Sequence, residues 1–198
     1  MQIGPMQKTI QKRTLKTRAR LIEASENLIN TGGYEALRVE DVVQAAGVAK
    51  GTFFAHFRDK DALMEILIGA KLDRFLDSAE ARTPPRTVSE IIAVLEPVHR
   101  FMTSERYVFD LLIRYSGATA VAEIGPIAHF FERYYRLVMM WLETADVRKD
   151  VTPELLAEGV QAFAIQAMSL RFCALHAATT FSDRLETYLN AWLTPPTG

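Results

Sequence analysis

The chain has 198 residues, 49% of them hydrophobic and 24% charged, with a net charge of −1. That much apolar material can bury a core, so an intrinsically disordered chain is excluded, and no apolar run reaches the roughly 18 residues a bilayer span needs. The only cysteine, Cys173, has no internal partner for a disulfide, which suits a reducing compartment. Charge is unevenly placed: residues 1–60 carry ten basic and six acidic side chains (+4), the other 138 carry 13 basic and 18 acidic (−5), and the first 20 hold six basic groups and no acid. A basic start beside an acidic remainder fits either a solvated tail or an electrostatic footprint for nucleic acid. The start also lacks the apolar core of a secretory signal, so the expectation is a cytoplasmic protein with no membrane partner.

In chain order, residues 1–12 read as a mobile arm. A first helix is expected from about Thr14 to Thr31, where Leu21, Ile22, Ala24, Ser25, Leu28 and Ile29 recur at helical spacing. Gly32-Gly33 ends it. Short helices follow at about Val39–Ala45 and Lys50–His56, with Ala46-Gly47-Val48 as a tight turn between them and Gly47 where a left-handed backbone is needed. Asp59 is placed to cap a long helix from Lys60 to about Ala81, and Thr83-Pro84-Pro85 breaks the chain. Further helical patterns span about Val88–Ser104, Arg106–Ser116, Ile127–Ala145, Pro153–Ala178 and Ser182–Leu193, the fourth opened by a capping Thr152 with Pro153 in its first turn. No segment alternates as a strand does. The tail from Thr194 is expected to fray. The fold class is therefore all-α with about nine helices: a three-helix N-terminal domain over residues 1–60 and a larger antiparallel helical bundle over 61–198.

Residues 33–63, GYEALRVEDVVQAAGVAKGTFFAHFRDKDAL, follow the logic of a helix-turn-helix. The first short helix buries Val39, Val42 and Val43 to prop up the second, and Gly47 sets the angle between them. The second helix is expected in the major groove of DNA. Small residues at Ala49, Gly51 and Thr52 permit close approach. Phe53 and Phe57 point inward. Lys50, His56 and Lys60 face phosphate, and the helix starting at Lys60 offers its N-terminal amides to a phosphate oxygen.

With Gly33-Tyr34, Ala46-Gly47-Val48, the run Lys50-Gly51-Thr52-Phe53, His56-Phe57, Lys60 and Leu63 in this order and spacing, residues 14–65 resemble the N-terminal domain of the TetR family of transcriptional regulators. The resemblance implies DNA contacts by Thr52, His56 and Lys60, with Lys50 as a further one. It also implies a C-terminal domain that dimerises through its last two long helices and holds a pocket for a small-molecule effector. This chain departs from the family pattern at Leu37 and Arg38, where hydroxyl residues are usual, and at Ala49 and Phe54, often serine and tyrosine. Arg38 is then expected to supply a phosphate contact, while Ala49 has no capping oxygen and Phe54 no hydroxyl. The expected DNA-facing set is Arg38, Lys50, Gly51, Thr52, Phe54, His56 and Lys60.

Residues 95–176 are rich in Met and aromatic side chains, by default a packed core and a subunit interface. The stretch Val160–Ala177 is apolar nearly all round, and Leu185, Tyr188, Leu189 and Trp192 continue the pattern, which suits a four-helix homodimer interface. Candidate effector contacts are Phe75, Phe101, Phe109, Tyr115, Phe130 and Tyr134, implying a largely apolar ligand. His99, His129, Gln166 and Arg171 are the polar groups among them, and Arg171 or Arg114 facing a cavity would suit a carboxylate. Cys173 and His176 share a helix face, but no third ligand completes a metal site, so neither metal nor cofactor is expected. Phosphate-binding, dinucleotide, nucleophile-elbow and metalloprotease motifs are absent, so no enzymatic activity is expected. The function expected is a dimeric repressor that binds a near-palindromic operator on double-stranded DNA and is released by its effector. The alternatives are a ligand-independent regulator or activator on the same fold and, remotely, a helical enzyme.

Overall fold

A computed structural model of the chain describes residues 5–116, 124–173, 175 and 178–195, with side chains from residue 12 onward. Among these the polypeptide forms nine helices and no strand: α1 (Pro5–Ala36), α2 (Val39–Ala45), α3 (Lys50–Phe54), α4 (Lys60–Glu80), α5 (Val88–Met102), α6 (Arg106–Tyr115), α7 (Pro126–Thr144), α8 (Pro153–Arg171) and α9 (Phe181–Leu193). The chain divides into two units, Met1–Leu67 and Ile68–Gly198.

In the first unit, α1 starts earlier than the sequence predicts. Residues 5–12, expected as an arm, continue the helix back to Pro5. Proline is at home in a first turn, and no glycine interrupts the helix before Gly32. The expected stop is real: Gly33 has φ 82°, ψ 174° and kinks the chain before a last turn at Tyr34–Ala36. The core of this unit gathers Leu21, Ala24, Leu37, Val42, Phe53, Phe57 and Leu63, all buried. Val39 and Val43 are only half-buried. The helix-turn-helix corner is a Schellman turn: the Gly47 amide donates to the Gln44 carbonyl at 3.1 Å and the Val48 amide to Val43 at 3.0 Å. It requires a left-handed residue, which Gly47 supplies with φ 61°. The third helix ends at Phe54, two residues short of expectation, as the His56 amide turns back to Phe53 O at 2.9 Å.

The second unit is held by its caps and by α8. Thr87 and Glu90 form a reciprocal capping box at the start of α5. Thr152 caps α8 with Pro153 in its first turn. The Lys149 ammonium gathers the carbonyls of Leu142, Glu143 and Ala145 at the end of α7, at 3.1, 3.2 and 2.9 Å, where a cation suits the helix dipole. Arg133 on α7 meets Asp73, Asp77 and Glu80 of α4, at 3.5, 2.6 and 2.6 Å. Helix α8 packs on both α7 and α9. Its seam with α9 needs Gly159: a Cβ there would collide with the Trp192 indole, whose Nε1 donates to the Leu156 carbonyl at 3.1 Å. The sequence pattern carries α8 to Ala178, but the helix ends at Arg171. Phe172 leaves it to stack on Phe109, with ring centroids 5.4 Å apart. His176, expected beside Cys173, lies outside the described residues.

Candidate functional site

The surface around α2 and α3 is built from inside outwards. Phe53 and Phe57, one turn apart, are 0% and 3% exposed, with ring centroids 5.4 Å apart. With both rings anchored, α3 must turn Gly51 and Phe54 outward. Phe54 is 49% exposed and rests edge-on against Phe53 at 5.3 Å. Gly51 has nothing within 4 Å of where a Cβ would stand, so its backbone is open to close approach. Lys50 and Arg38 are exposed, while Thr52, His56 and Lys60 are half-buried at the edges.

Several of these side chains already have intramolecular partners. Lys50 Nζ donates to the Glu40 carboxylate at 2.5 Å, which holds the Glu40 pKa below its usual value. Lys60 Nζ donates to the Glu35 carbonyl at 3.1 Å. The first turn of α4, expected to offer amides to phosphate, is capped by its own chain: the Ala62 amide donates to Asp59 Oδ1 at 2.8 Å. The Arg58 guanidinium beside it, at 2.8 Å, keeps the Asp59 carboxyl ionised to lower pH than usual. Arg38 sits at the N-cap of α2 with no side-chain cap, and Ala49 likewise caps nothing on α3, as expected of residues without a suitable oxygen.

Two arginines read as part of the basic start have a different place. Arg18 Nη1 donates to the His56 carbonyl at 3.1 Å and its guanidinium lies over the Phe57 ring, 4.6 Å from the centroid. Arg20 Nη2 donates to the Ala46 carbonyl in the turn itself. Both tie α1 to the helix-turn-helix. The sequence signal was present, since Arg18 shares a helix face with buried Leu21 three positions on and Arg20 with buried Ala24 four positions on, but charge alone pointed to solvent. Lys12, Arg13 and Lys16 are exposed on α1.

The six candidate effector contacts do not form one cluster. Phe75 and Phe101 pair with centroids 5.7 Å apart, Phe109 stacks on Phe172, and Tyr115 is half-buried in the last turn of α6. Phe130 and Tyr134 come together, 5.9 Å apart, and line a small hollow of about 10 Å³ with His99, Met102, Gln161 and Met168. A larger open groove of about 920 Å³ runs along α7 and α8 past His129, Tyr135, Arg136 and Glu158. Gln166, Arg171 and Arg114 are exposed and line neither hollow. Among the described residues, no group of three or more His, Cys, Asp or Glu is placed to hold a metal, and no helix is long and apolar enough to cross a membrane.

Residues 21–67 match the family model described as bacterial regulatory proteins, tetR family. The chain is 27% identical over 126 residues to the transcriptional repressor KstR of Rhodococcus jostii strain RHA1, covering 62% of this chain and 59% of that protein. It is 26% identical over 160 residues to the repressor DhaR of Mycobacterium sp. strain GP1, covering 71% and 75%. Among solved structures, Thermus thermophilus FadR, a repressor in complex with lauroyl-CoA, aligns with TM-score 0.55 at 19% identity over 88% of this chain and 92% of that one. A TetR transcriptional regulator from Legionella pneumophila aligns with TM-score 0.59 at 16% identity, covering 88% and 96%.

Proposed function

We propose that this chain, whose residues 21–67 match the TetR family of regulators, is a dimeric repressor of that type that leaves its operator when a small molecule binds the second unit. The observation that carries the DNA-binding half is the arrangement of α3. Phe53 and Phe57 lock it inward, and Lys50, Gly51 and Phe54 are left on a surface braced by Arg18 and Arg20.

On this reading Gly51 brings backbone against the duplex, and Lys50, Arg38 and Lys60 neutralise phosphates. Thr52 and His56 reach the groove edge. Phe54 offers an apolar face to a thymine methyl rather than a hydroxyl to phosphate. Two copies present two α3 helices about 34–36 Å apart to a near-palindromic site. The dimer forms through α8 and α9. Leu155, Ala162 and Gln166 on α8 are exposed in the single chain, and on this reading the second copy covers them. An effector releases DNA only by binding the two conformers with different affinity. The lauroyl-CoA bound by the Thermus structure supports a small-molecule sensor on this fold.

The test is fluorescence anisotropy with a labelled duplex from upstream of the protein's own gene, across a salt series. Binding is expected to weaken steeply with salt. Lys60→Ala is expected to weaken it on every sequence and to flatten the log–log salt slope by about one per protomer. No binding to that or any palindromic duplex at low salt refutes the reading.

A further inference from the structure

Helix α1 begins well before the rest of its unit needs it. Residues 12–16 are all exposed, and five consecutive residues pass more than once round a helix, so every side of that turn is open. A helical turn open all round is marginal on its own in water. Here it grows from a firm base. Arg18 donates to the His56 carbonyl just past α3 and lies over the Phe57 ring, and Arg20 donates to the Ala46 carbonyl in the turn before α3. The early turns of α1 therefore extend the helix-turn-helix as a stiff bar where the sequence pattern suggests a loose arm.

The charge on these turns is of one sign. They carry Lys12, Arg13 and Lys16, the first acid in the chain is Glu23, and no carboxylate lies three or four positions from any of the three. Among the described residues none of the three forms an ion pair. Lys50 and Arg58 of the same unit, by contrast, hold Glu40 and Asp59. Lys12 and Lys16 are also one turn apart, and like charges at that spacing destabilise a helix. The arrangement is unfavourable to the free chain and is relieved by an anionic surface.

Two features select duplex DNA as that surface. The basic turns are continuous with the α3 face, because Arg18 bonds residue 56 itself, one of the residues expected to face DNA. A lipid surface instead requires a helix with a broad apolar side, and between positions 12 and 20 Leu15 is the one large apolar residue. The family model matches from residue 21 onward, so these cations are an addition to the matched DNA-binding segment.

We infer that Lys12, Arg13 and Lys16 form a second DNA contact surface, which holds phosphates of the duplex flanking each half-site. This rests on the repressor reading above and lengthens its footprint. From Lys16 back to Pro5, α1 rises about 17 Å at about 1.5 Å per residue. That spans up to about five base pairs of flanking duplex at about 3.4 Å each. The contacts read no base, so they raise affinity on every sequence and fade as salt rises.

The experiment measures anisotropy over a salt series for wild type and for Lys12→Gln/Arg13→Gln/Lys16→Gln. The probes are a labelled duplex from upstream of the protein's own gene and the same duplex trimmed to the shortest length that the triple variant still binds fully. On the long duplex the triple variant is expected to bind on the order of tenfold more weakly at low salt, with a log–log salt slope flatter by about two to three per protomer. Trimming is expected to weaken wild type alone and bring it down to the variant. Arg82→Gln/Arg100→Gln/Arg106→Gln removes the same charge from exposed positions of the second unit and is expected to keep the wild-type slope. Both variants are expected to keep the helical circular dichroism of wild type. A triple variant with the wild-type slope overturns the inference and leaves the α3 reading standing. A second-unit variant that flattens the slope equally overturns it too, since net charge then suffices. Wild type that pellets with phosphatidylserine vesicles through these three residues, with no difference on DNA, overturns it in favour of lipid. Wild type that binds no duplex overturns the repressor reading and this inference with it.

Discussion

Two glycines four residues apart are expected to respond to alanine in opposite ways. Gly47 has φ 61°, a conformation that costs an L-residue about 1–2 kcal/mol. A Cβ there would also stand 3.3 Å from Arg20 Nη2, which bonds the carbonyl of the preceding residue. Arg20 is flexible enough to shift, so the backbone term dominates, and Gly47→Ala is expected to destabilise the chain by about 1–2 kcal/mol. For a chain of this size that is a fall in melting temperature of roughly 2–8 °C. Gly47→Asn, which tolerates the left-handed region, is expected to cost less. Gly51, by contrast, is helical and open on the side of a Cβ. Gly51→Ala is expected to stabilise the fold by up to about 1 kcal/mol through a less flexible unfolded chain. Yet it is expected to weaken DNA binding, because the methyl stands where the duplex must come close. Thermal melts by circular dichroism and anisotropy on one duplex measure both quantities. A Gly51→Ala protein that binds DNA as well as wild type refutes the close approach at α3. A Gly47→Ala protein with unchanged melting refutes the turn argument.

Glu40 holds Lys50 at 2.5 Å with both side chains more than half exposed, so a phosphate must displace it. Glu40→Gln is expected to tighten DNA binding severalfold at low salt, with the gain fading as ionic strength rises; a loss of affinity contradicts the competition. Burial pushes the His99 pKa down to about 4 in the folded chain, against the usual 6.5 of an imidazole in the unfolded chain. The unfolded chain therefore binds the extra proton between these values. Its contribution to stability is full above pH 6.5 and is lost as pH falls towards 4, by up to about 3 kcal/mol. His99→Leu is expected to flatten that part of the urea-denaturation profile, and an unchanged slope argues against a neutral buried imidazole. Gly159→Ala drives a methyl into the Trp192 indole, and overpacking of this kind costs about 1–3 kcal/mol, against about 1 kcal/mol gained in helix propensity. A net loss of stability is expected in urea, and a net gain shows that α9 yields freely.

Much of the architecture is local and was therefore readable from residues. Asp59, Thr152 and Gly47 each act through neighbours one to four positions away, and the structure has them capping α4, capping α8 and turning the corner. Long-range partnerships were not readable. Arg18 and Arg20 look like tail charges until α1 is laid beside residues 46 and 56, which are 26 and 38 positions on. Nothing in an aromatic stripe tells a core pair from a cavity wall. Phe75 and Phe109 turn out to have ring partners of their own, whereas Phe130 and Tyr134 border a hollow. His99 was one polar residue among four, and only burial with one nitrogen unmet separates it from exposed His129, Gln166 and Arg171. The last turns of α8 escaped because stacking of Phe172 on Phe109 overrides a sequence able to continue the helix.

The indole of Trp192 is lodged across Gly159 and tethered to a main-chain oxygen of the neighbouring helix. That makes it a built-in optical gauge. The chain has one other tryptophan, Trp141, buried in α7. With Trp141 replaced by phenylalanine, the emission colour would come from one ring alone, and it would drift to the red whenever α8 and α9 part enough to admit solvent. A change of effector, operator or subunit pairing that strains this seam would then be visible in an unlabelled sample, in real time.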